Sequence, residues 1–134
     1  MSENDNKYNK LENNVFYIKE NFKKKGKEYG IVKLNKKHFD ALAECIDLQS
    51  VAPLVSPRFS QRIEHFLIPR IDEISRILYM LKPFPDELGI EMSKENCNDI
   101  LKGLKLGSVS SGLKNRGYSV EELNTALKKI KFYK

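Results

Sequence analysis

Residues that commonly carry out catalysis are few in this sequence, and their spacing matches no known catalytic or metal-binding motif. The two histidines, His38 and His65, have no serine, cysteine or carboxylate at a spacing that forms such a site. The adjacent acids Asp72 and Glu73 would point about 100° apart on a helix, so they cannot readily share one proton or one metal ion. We therefore expect a protein that is not an enzyme and that uses no metal and no cofactor.

A glycine- and serine-rich segment, GSVSSG at residues 107–112, could bring backbone N–H groups close to an anion. It lacks the GK[ST] ending of a P-loop, and its simplest interpretation is a helix-capping turn. If the protein binds nucleic acid, the polar residues in and around this segment would contact backbone phosphates. These residues are Lys105, Ser108, Ser110, Lys114 and Arg116.

The sharpest candidate site is a lysine-rich turn, KKKGK at residues 23–27, with an aromatic residue near each end. Lys23, Lys24, Lys25 and Lys27 form a cluster of point charges of the kind that grips a phosphate backbone. Lysines also protect edge strands from aggregation, which is the competing interpretation. Because four lysines in five residues exceed that need, we predict anion binding at this turn.

The net charge of the chain, +6, is sorted into blocks. Residues 15–37 and residues 100–134 each contain eight basic and two acidic residues, whereas residues 38–99 carry a net charge of −5. Concentrated positive regions create local potentials that attract polyanions. The second block adds Lys128, Lys129 and Lys131 as candidate phosphate contacts.

The first basic block falls on two predicted strands, residues 15–22 and 29–34, which are rich in aromatic and β-branched residues. Because a short turn containing Gly26 separates them, the pattern predicts a basic β-hairpin over residues 15–34. Val32 and Leu34 alternate with Lys33, so one face of the second strand can pack while the other stays polar.

Residues 35–82 are predicted to form the core helices. Asn35 is a suitable N-cap for a helix that runs to about residue 48, and a second helical pattern covers residues 58–82. Pro69 interrupts the second pattern, so we expect either a kink near His65 or two helices that meet there with Pro69 at the first position of the second. Residues 83–87 are assigned to a loop. The apolar residues that repeat at helical spacing before the proline are Phe59, Ile63, Phe66 and Leu67.

Residues 93–131 are predicted to form a unit of three short helices. Ser93 caps the first helix, and Ser119 with Glu122 forms a capping box at the start of the third. The layout is similar to that of helix-turn-helix DNA readers, with residues 119–131 in the place of the recognition helix. Many protein-binding modules share this layout, and Glu121 and Glu122 would repel phosphates at the start of that helix.

A second, shorter similarity covers residues 30–68, where a strand is followed by two helices as in ribbon-helix-helix repressors. In that arrangement Lys33 and Asn35 would face the major groove. The loop between the two helices is longer and richer in proline than the family has. We keep Lys33 and Asn35 as candidate nucleic-acid contacts.

The first fourteen residues are rich in asparagine and poor in apolar residues, which predicts a disordered tail before one globular domain, residues 15–134. Cys45 and Cys97 lie among apolar neighbours in helical patterns, so we expect two buried, reduced thiols. The sequence has no apolar run of membrane-spanning length and no signal-peptide pattern. We therefore expect a cytoplasmic protein with no membrane partner.

These patterns together predict a mainly α-helical protein with a small N-terminal β-hairpin, which is an α+β fold with five to six helices. The predicted function is that of a small regulator or accessory protein that binds nucleic acid, DNA rather than RNA, through the lysine-rich hairpin and the C-terminal lysines. The alternative is a protein-interaction or inhibitor module that binds an acidic surface of a partner protein without catalysis. A homodimer is compatible with the DNA-binding function.

Overall fold

The computed structural model describes residues 8–11, 15–21, 23–51, 57–81 and 83–133. Within them, the strands are β1 (Tyr8–Leu11), β2 (Val15–Ile18), β3 (Tyr29–Leu34) and β4 (Glu87–Ser93). The helices are α1 (Lys36–Ser50), α2 (Pro57–Arg62), α3 (Ile68–Met80), α4 (Lys94–Leu104), α5 (Gly107–Asn115) and α6 (Val120–Lys128), with a π-helical segment (Ile63–Leu67) between α2 and α3. The predicted class, a mainly α-helical α+β fold, is confirmed.

The strands form one sheet in the order β1-β2-β4-β3. β4 runs parallel to β2 and antiparallel to β3, so that Ile90 lies between Ile18 and Val32. The predicted hairpin over residues 15–34 is therefore wrong, because both of its strands exist but they do not pair with each other.

The strand that separates them, β4, was not predicted. Residues 83–87 were assigned to a loop, and residues 88–92 to no helix or strand. The sequence of β4, ELGIEMS, alternates apolar and other residues with the period of a strand. Leu88, Ile90 and Met92 are fully buried in the core. A strand with such an apolar face gains more by lying in the middle of the sheet than at an edge, and it therefore takes the place of the hairpin partner for both β2 and β3.

β1 lies inside the segment that was predicted to be disordered. It pairs antiparallel with β2, from Tyr8 opposite Ile18 to Leu11 opposite Val15. The prediction is wrong for these four residues, because pairing with a strand of a larger sheet orders a segment that has little apolar surface of its own. The rest of the predicted tail, residues 1–7 and 12–14, lies outside the described residues.

One hydrophobic core joins the sheet to the helices. From the sheet, Ile18, Val32 and Leu34 enter it beside the apolar face of β4. Helices α1, α3, α4, α5 and α6 each bury an apolar stripe against this core, but Phe66, which the helical spacing placed in such a stripe, is half exposed. The buried side chains include Phe39, Leu42 and Ile46 of α1, Cys97, Ile100 and Leu104 of α4, Val109 and Leu113 of α5, and Leu123 and Leu127 of α6.

Three helix starts follow their predicted caps. The Asn35 side chain accepts a hydrogen bond of 2.8 Å from the backbone N–H of His38. Ser93 and Ser119 do the same for the third residue of α4 and α6, at 3.1 and 3.2 Å. Each cap satisfies one of the N–H groups that a helix start leaves without a partner, typically worth about 1 kcal/mol.

The helical segment that contains Pro69 is not interrupted at the proline. Residues 57–80 are helical throughout, and a π-helical turn at Ile63–Leu67 precedes Pro69. At this turn the backbone N–H of Ile68 donates to the carbonyl of Ile63, five residues earlier. The wider turn accommodates the ring and the missing N–H of Pro69, which lies in the first turn of α3.

Candidate functional site

The two basic blocks of the sequence meet at the start of β3. Tyr29 and Tyr133 form an antiparallel bridge, and each backbone N–H donates to the carbonyl of the other at 2.7 Å. The segment 129–133 thereby lies along Gly30. A Cβ atom at Gly30 would stand 2.9 Å from Cδ1 of Phe132 and 3.0 Å from the carbonyl oxygen of Lys131. The absence of a side chain at Gly30 is therefore what lets the two segments approach.

The carboxylate of Glu91 is buried next to the Tyr29–Tyr133 bridge and binds the residues around it. Lys23 Nζ lies 2.6 Å from Glu91 Oε2, and the hydroxyl of Tyr133 donates to the same oxygen. The backbone N–H of Glu20 donates to Glu91 Oε1 at 3.0 Å. Burial would raise the pKa of Glu91, but the hydrogen bonds from Lys23, Tyr133 and the Glu20 N–H outweigh it and hold that pKa below its usual value.

The neighbours of Glu91 respond in the opposite direction. The hydrogen bond to Glu91 raises the pKa of Lys23. Burial, followed by the contact with Glu91, raises the pKa of Tyr133, and burial together with its contact with Tyr133 raises that of Tyr17. Glu91 is therefore an anion at neutral pH, surrounded by a lysine and two protonated tyrosines. No signal in the sequence connected Glu91 to the Tyr29–Tyr133 bridge.

Residues 23–27, which we call the lysine loop, are not four equivalent cations. Lys23 is neutralised by Glu91, and Lys27 Nζ lies 3.3 Å from Glu95 of α4. The backbone N–H of Lys24 donates to the hydroxyl of Tyr29 at 2.8 Å, and its ammonium group stands 5.5 Å from the ring centre of Phe66. Lys25 is exposed. Two of the four lysines that were predicted to bind phosphate, Lys23 and Lys27, thus form ion pairs that hold the loop in place.

The other predicted contacts fall into three groups. Lys128, Lys129 and Lys131 are exposed, the first at the end of α6 and the other two in the segment that leads from α6 to the Tyr29–Tyr133 bridge. Asn35 is occupied as a helix cap, and Lys33 is exposed on β3. The third group surrounds α5, where Lys105, Ser108 and Lys114 are exposed.

The α5 group does not have the form of a phosphate cradle. The Ser110 hydroxyl donates to the carbonyl of Gly107 at 3.3 Å, within the first turn of the helix. Arg116 Nε lies 3.1 Å from Glu44 of α1, so its charge is already paired. The segment 107–112 therefore serves the start of α5, in keeping with its simplest interpretation.

A cleft of about 470 Å³ opens beside the lysine loop. Its walls come from the loop, the π-helical segment, α3 and the start of α4. Phe66 is 50% exposed in it, although the helical pattern predicted that this side chain is buried. The π-helical turn is the reason, because it keeps Ile63 and Leu67 in the core and leaves Phe66 outside.

Arg70 closes the inner end of the cleft and is 4% exposed. Its guanidinium donates to the carbonyls of Ile18 and Glu91 at 3.3 and 3.0 Å, where β2 and β4 end. It also donates to Glu73 at 2.7 Å. Its Nε lies 3.4 Å from Glu20, an ion pair that lacks hydrogen-bond geometry. Arg70 therefore joins the sheet to α3 and lies between two of the acids of the cleft, of which its single charge balances one.

Cys45 and Cys97 are buried and not disulfide-bonded, as predicted. Burial raises the pKa of each thiol to about 12. In the described part of the chain, no three His, Cys, Asp or Glu side chains are grouped to hold a metal ion. The helices among those same residues include none that is long and apolar enough to cross a membrane.

Comparisons of the chain with protein-family models, with curated proteins and with solved structures found no match.

Proposed function

We propose that this protein binds nucleic acid, DNA in preference to RNA, as a small regulator or accessory protein. The observation that carries the proposal is the Tyr29–Tyr133 bridge, which joins the two basic segments of the sequence into one surface. Neither segment alone has many unpaired cations, but Lys25 lies four residues before Tyr29 and Lys131 two residues before Tyr133, so the bridge brings backbone segments that carry both toward each other. Cations brought together attract a phosphate backbone.

The cations that remain for phosphate are Lys25 of the loop and Lys128, Lys129 and Lys131 beyond the bridge. All four are exposed, and within the described residues none of them forms an ion pair. Lys23 and Lys27 support the surface through Glu91 and Glu95 without contacting the ligand. About four phosphate contacts predict that log K falls with log salt at a slope of about −4.

The test is fluorescence anisotropy with labelled duplex, single-stranded DNA and RNA of the same length over a series of salt concentrations. Lys25→Glu combined with Lys129→Glu should abolish binding at moderate salt. Lys37→Glu combined with Lys102→Glu makes the same change in net charge elsewhere on the surface, at the start of α1 and on α4, and should retain most of the affinity. Absence of binding at low salt, or an equal loss in the control variant, would contradict the proposal.

The alternative, an acidic surface of a partner protein, is favoured by the pairing of Lys23 and Lys27 with carboxylates. This pairing lowers the positive charge density of the loop, and an acidic protein surface needs fewer cations opposite it than a phosphate backbone does. Nuclease treatment distinguishes these two functions. A complex isolated from cells that survives nuclease favours the protein partner, and one that disperses favours nucleic acid.

A further inference from the structure

We propose that the cleft beside the lysine loop receives one unpaired nucleotide of the bound strand, so that the preferred ligand is single-stranded. This inference rests on the proposed nucleic-acid binding and narrows it. The cleft and the basic surface share the lysine loop, because Lys24 and Lys27 also line the cleft. A strand that follows the exposed lysines therefore passes the mouth of the cleft.

The cleft offers an aromatic platform. Phe66 lines the cleft and is half exposed, whereas Tyr29, which also lines it, is buried. Nucleotide bases stack on such rings without sequence preference, because every base has a π face. The ammonium of Lys24 now stands 5.5 Å from the Phe66 ring centre. A base that stacks on the ring would displace this ammonium toward the phosphate of the same nucleotide.

The charges of the cleft leave a positive excess. Glu95 is paired with Lys27, and Glu20 and Glu73 both lie against Arg70. Lys24 and Arg76 form no ion pair within the described residues. Four lysine and arginine side chains and three glutamates line the cleft, so the excess is one positive charge beside an aromatic ring. This combination suits a group that is aromatic at one end and anionic at the other.

The dimensions fit one nucleotide and exclude a duplex. A volume of about 470 Å³ lies within the range of about 300–1,000 Å³ for small-molecule sites. Bases inside a duplex have both faces stacked and must leave the helix to reach a pocket. The π-helical turn that exposes Phe66 belongs to a class of distortion that is frequent at functional sites.

The experiment compares Phe66→Ala with Phe66→Tyr, which keeps the aromatic face. Anisotropy is measured with a mixed-sequence single-stranded oligonucleotide and with the matching duplex, and quenching of 2-aminopurine in the single strand reports stacking. We expect the wild type to prefer the single strand. Phe66→Ala should weaken single-strand binding by about tenfold to a hundredfold, with loss of quenching, and leave duplex binding unchanged. Phe66→Tyr should restore both affinity and quenching.

Tyr79→Ala is the matched control, because Tyr79 is an aromatic residue that is 70% exposed and does not line the cleft. It should change neither affinity. If no nucleic acid binds to the wild type, the proposed function fails and this inference fails with it. If the protein binds single strand and duplex equally, or if Phe66→Ala leaves single-strand affinity intact, the inference alone is overturned.

Discussion

Tyr29 and Tyr133 are held to each other by two backbone hydrogen bonds and also hold the lysine loop from two sides. The hydroxyl of Tyr29 accepts the backbone N–H of Lys24, and the hydroxyl of Tyr133 donates to the carboxylate that binds Lys23. The ammonium of Lys23 stands 5.8 and 5.7 Å from the two ring centres. The pair thus turns a loop of like charges into a surface of defined shape.

Replacing Glu91 with glutamine should lower the free energy of unfolding by about 2 kcal/mol near pH 7, because charged hydrogen bonds inside the fold are lost. The pKa of Glu91 is lower in the folded chain than in the unfolded one, where it is about 4.3. The stabilisation is therefore complete above that pH and is lost as the pH falls through the folded value. Urea unfolding at a series of acidic pH values should show a shallower decline for Glu91→Gln than for the wild type. Parallel declines would show that Glu91 does not supply this linkage.

Gly30→Ala should destabilise the fold by about 1–3 kcal/mol, since its Cβ would collide with Ile130, Phe132 and the backbone of Lys131. Gly107→Ala is the control, because a Cβ there meets nothing within 4 Å and the residue begins a helix. The control should be neutral or gain up to about 1 kcal/mol. Thermal unfolding of both variants makes the comparison. Equal stability would mean that the segment 129–133 does not pack on Gly30 in solution.

Arg62 and Asp99 form a two-point ion pair in which both hydrogen bonds are 2.8 Å long. The side chain of Asp99 is 3% exposed and that of Arg62 27% exposed. Arg62→Ala should cost about 3 kcal/mol, because it leaves a buried carboxylate without its partner. Asp99→Asn should cost less, about 1–2 kcal/mol, since the arginine can turn to water. Denaturant titrations that place the two variants in the reverse order would contradict this asymmetry.

Neither cysteine should react with a thiol reagent while the protein is folded. Both thiols are buried, and their pKa of about 12 leaves almost no thiolate at neutral pH. Two equivalents should react once denaturant is added. Ser111→Cys places a thiol at an exposed position of α5 and should add one equivalent that reacts at once. Rapid labelling of the folded wild type would refute the buried placement.

The helices could be predicted because their signals are local. Asn35, Ser93 and Ser119 each lie within three residues of the N–H that they cap. The partner of a strand is not a local property, however. Aromatic and β-branched residues indicated β2 and β3, but the pairing of these strands depends on β4. The alternation of Leu88, Ile90 and Met92 in β4 is a strand pattern that the sequence contains.

The sequence predicted which lysines belong to the candidate site, but it did not predict how they are arranged or paired. Its lysines stand together in the sequence, whereas the carboxylates that neutralise Lys23 and Lys27 come from β4 and α4, and 68 residues separate Lys27 from Glu95. The exposure of Phe66 depends on a π-helical turn, which helical periodicity does not distinguish from a regular helix. The cleft is therefore a tertiary feature without a sequence motif.

Because β4 lies between β2 and β3, neither of these strands can complete its pairing before β4 is present. Glu20 and Glu91, which meet beside the lysine loop, are 71 residues apart in the chain. When the chain is made from its start, β3 has no neighbouring strand until residues 87–93 have emerged, while β1 and β2 have only each other. Contacts of such long sequence separation slow folding. The surface that carries the lysines needs residues from distant parts of the described chain, Glu20 and Glu91 as well as Tyr29 and Tyr133.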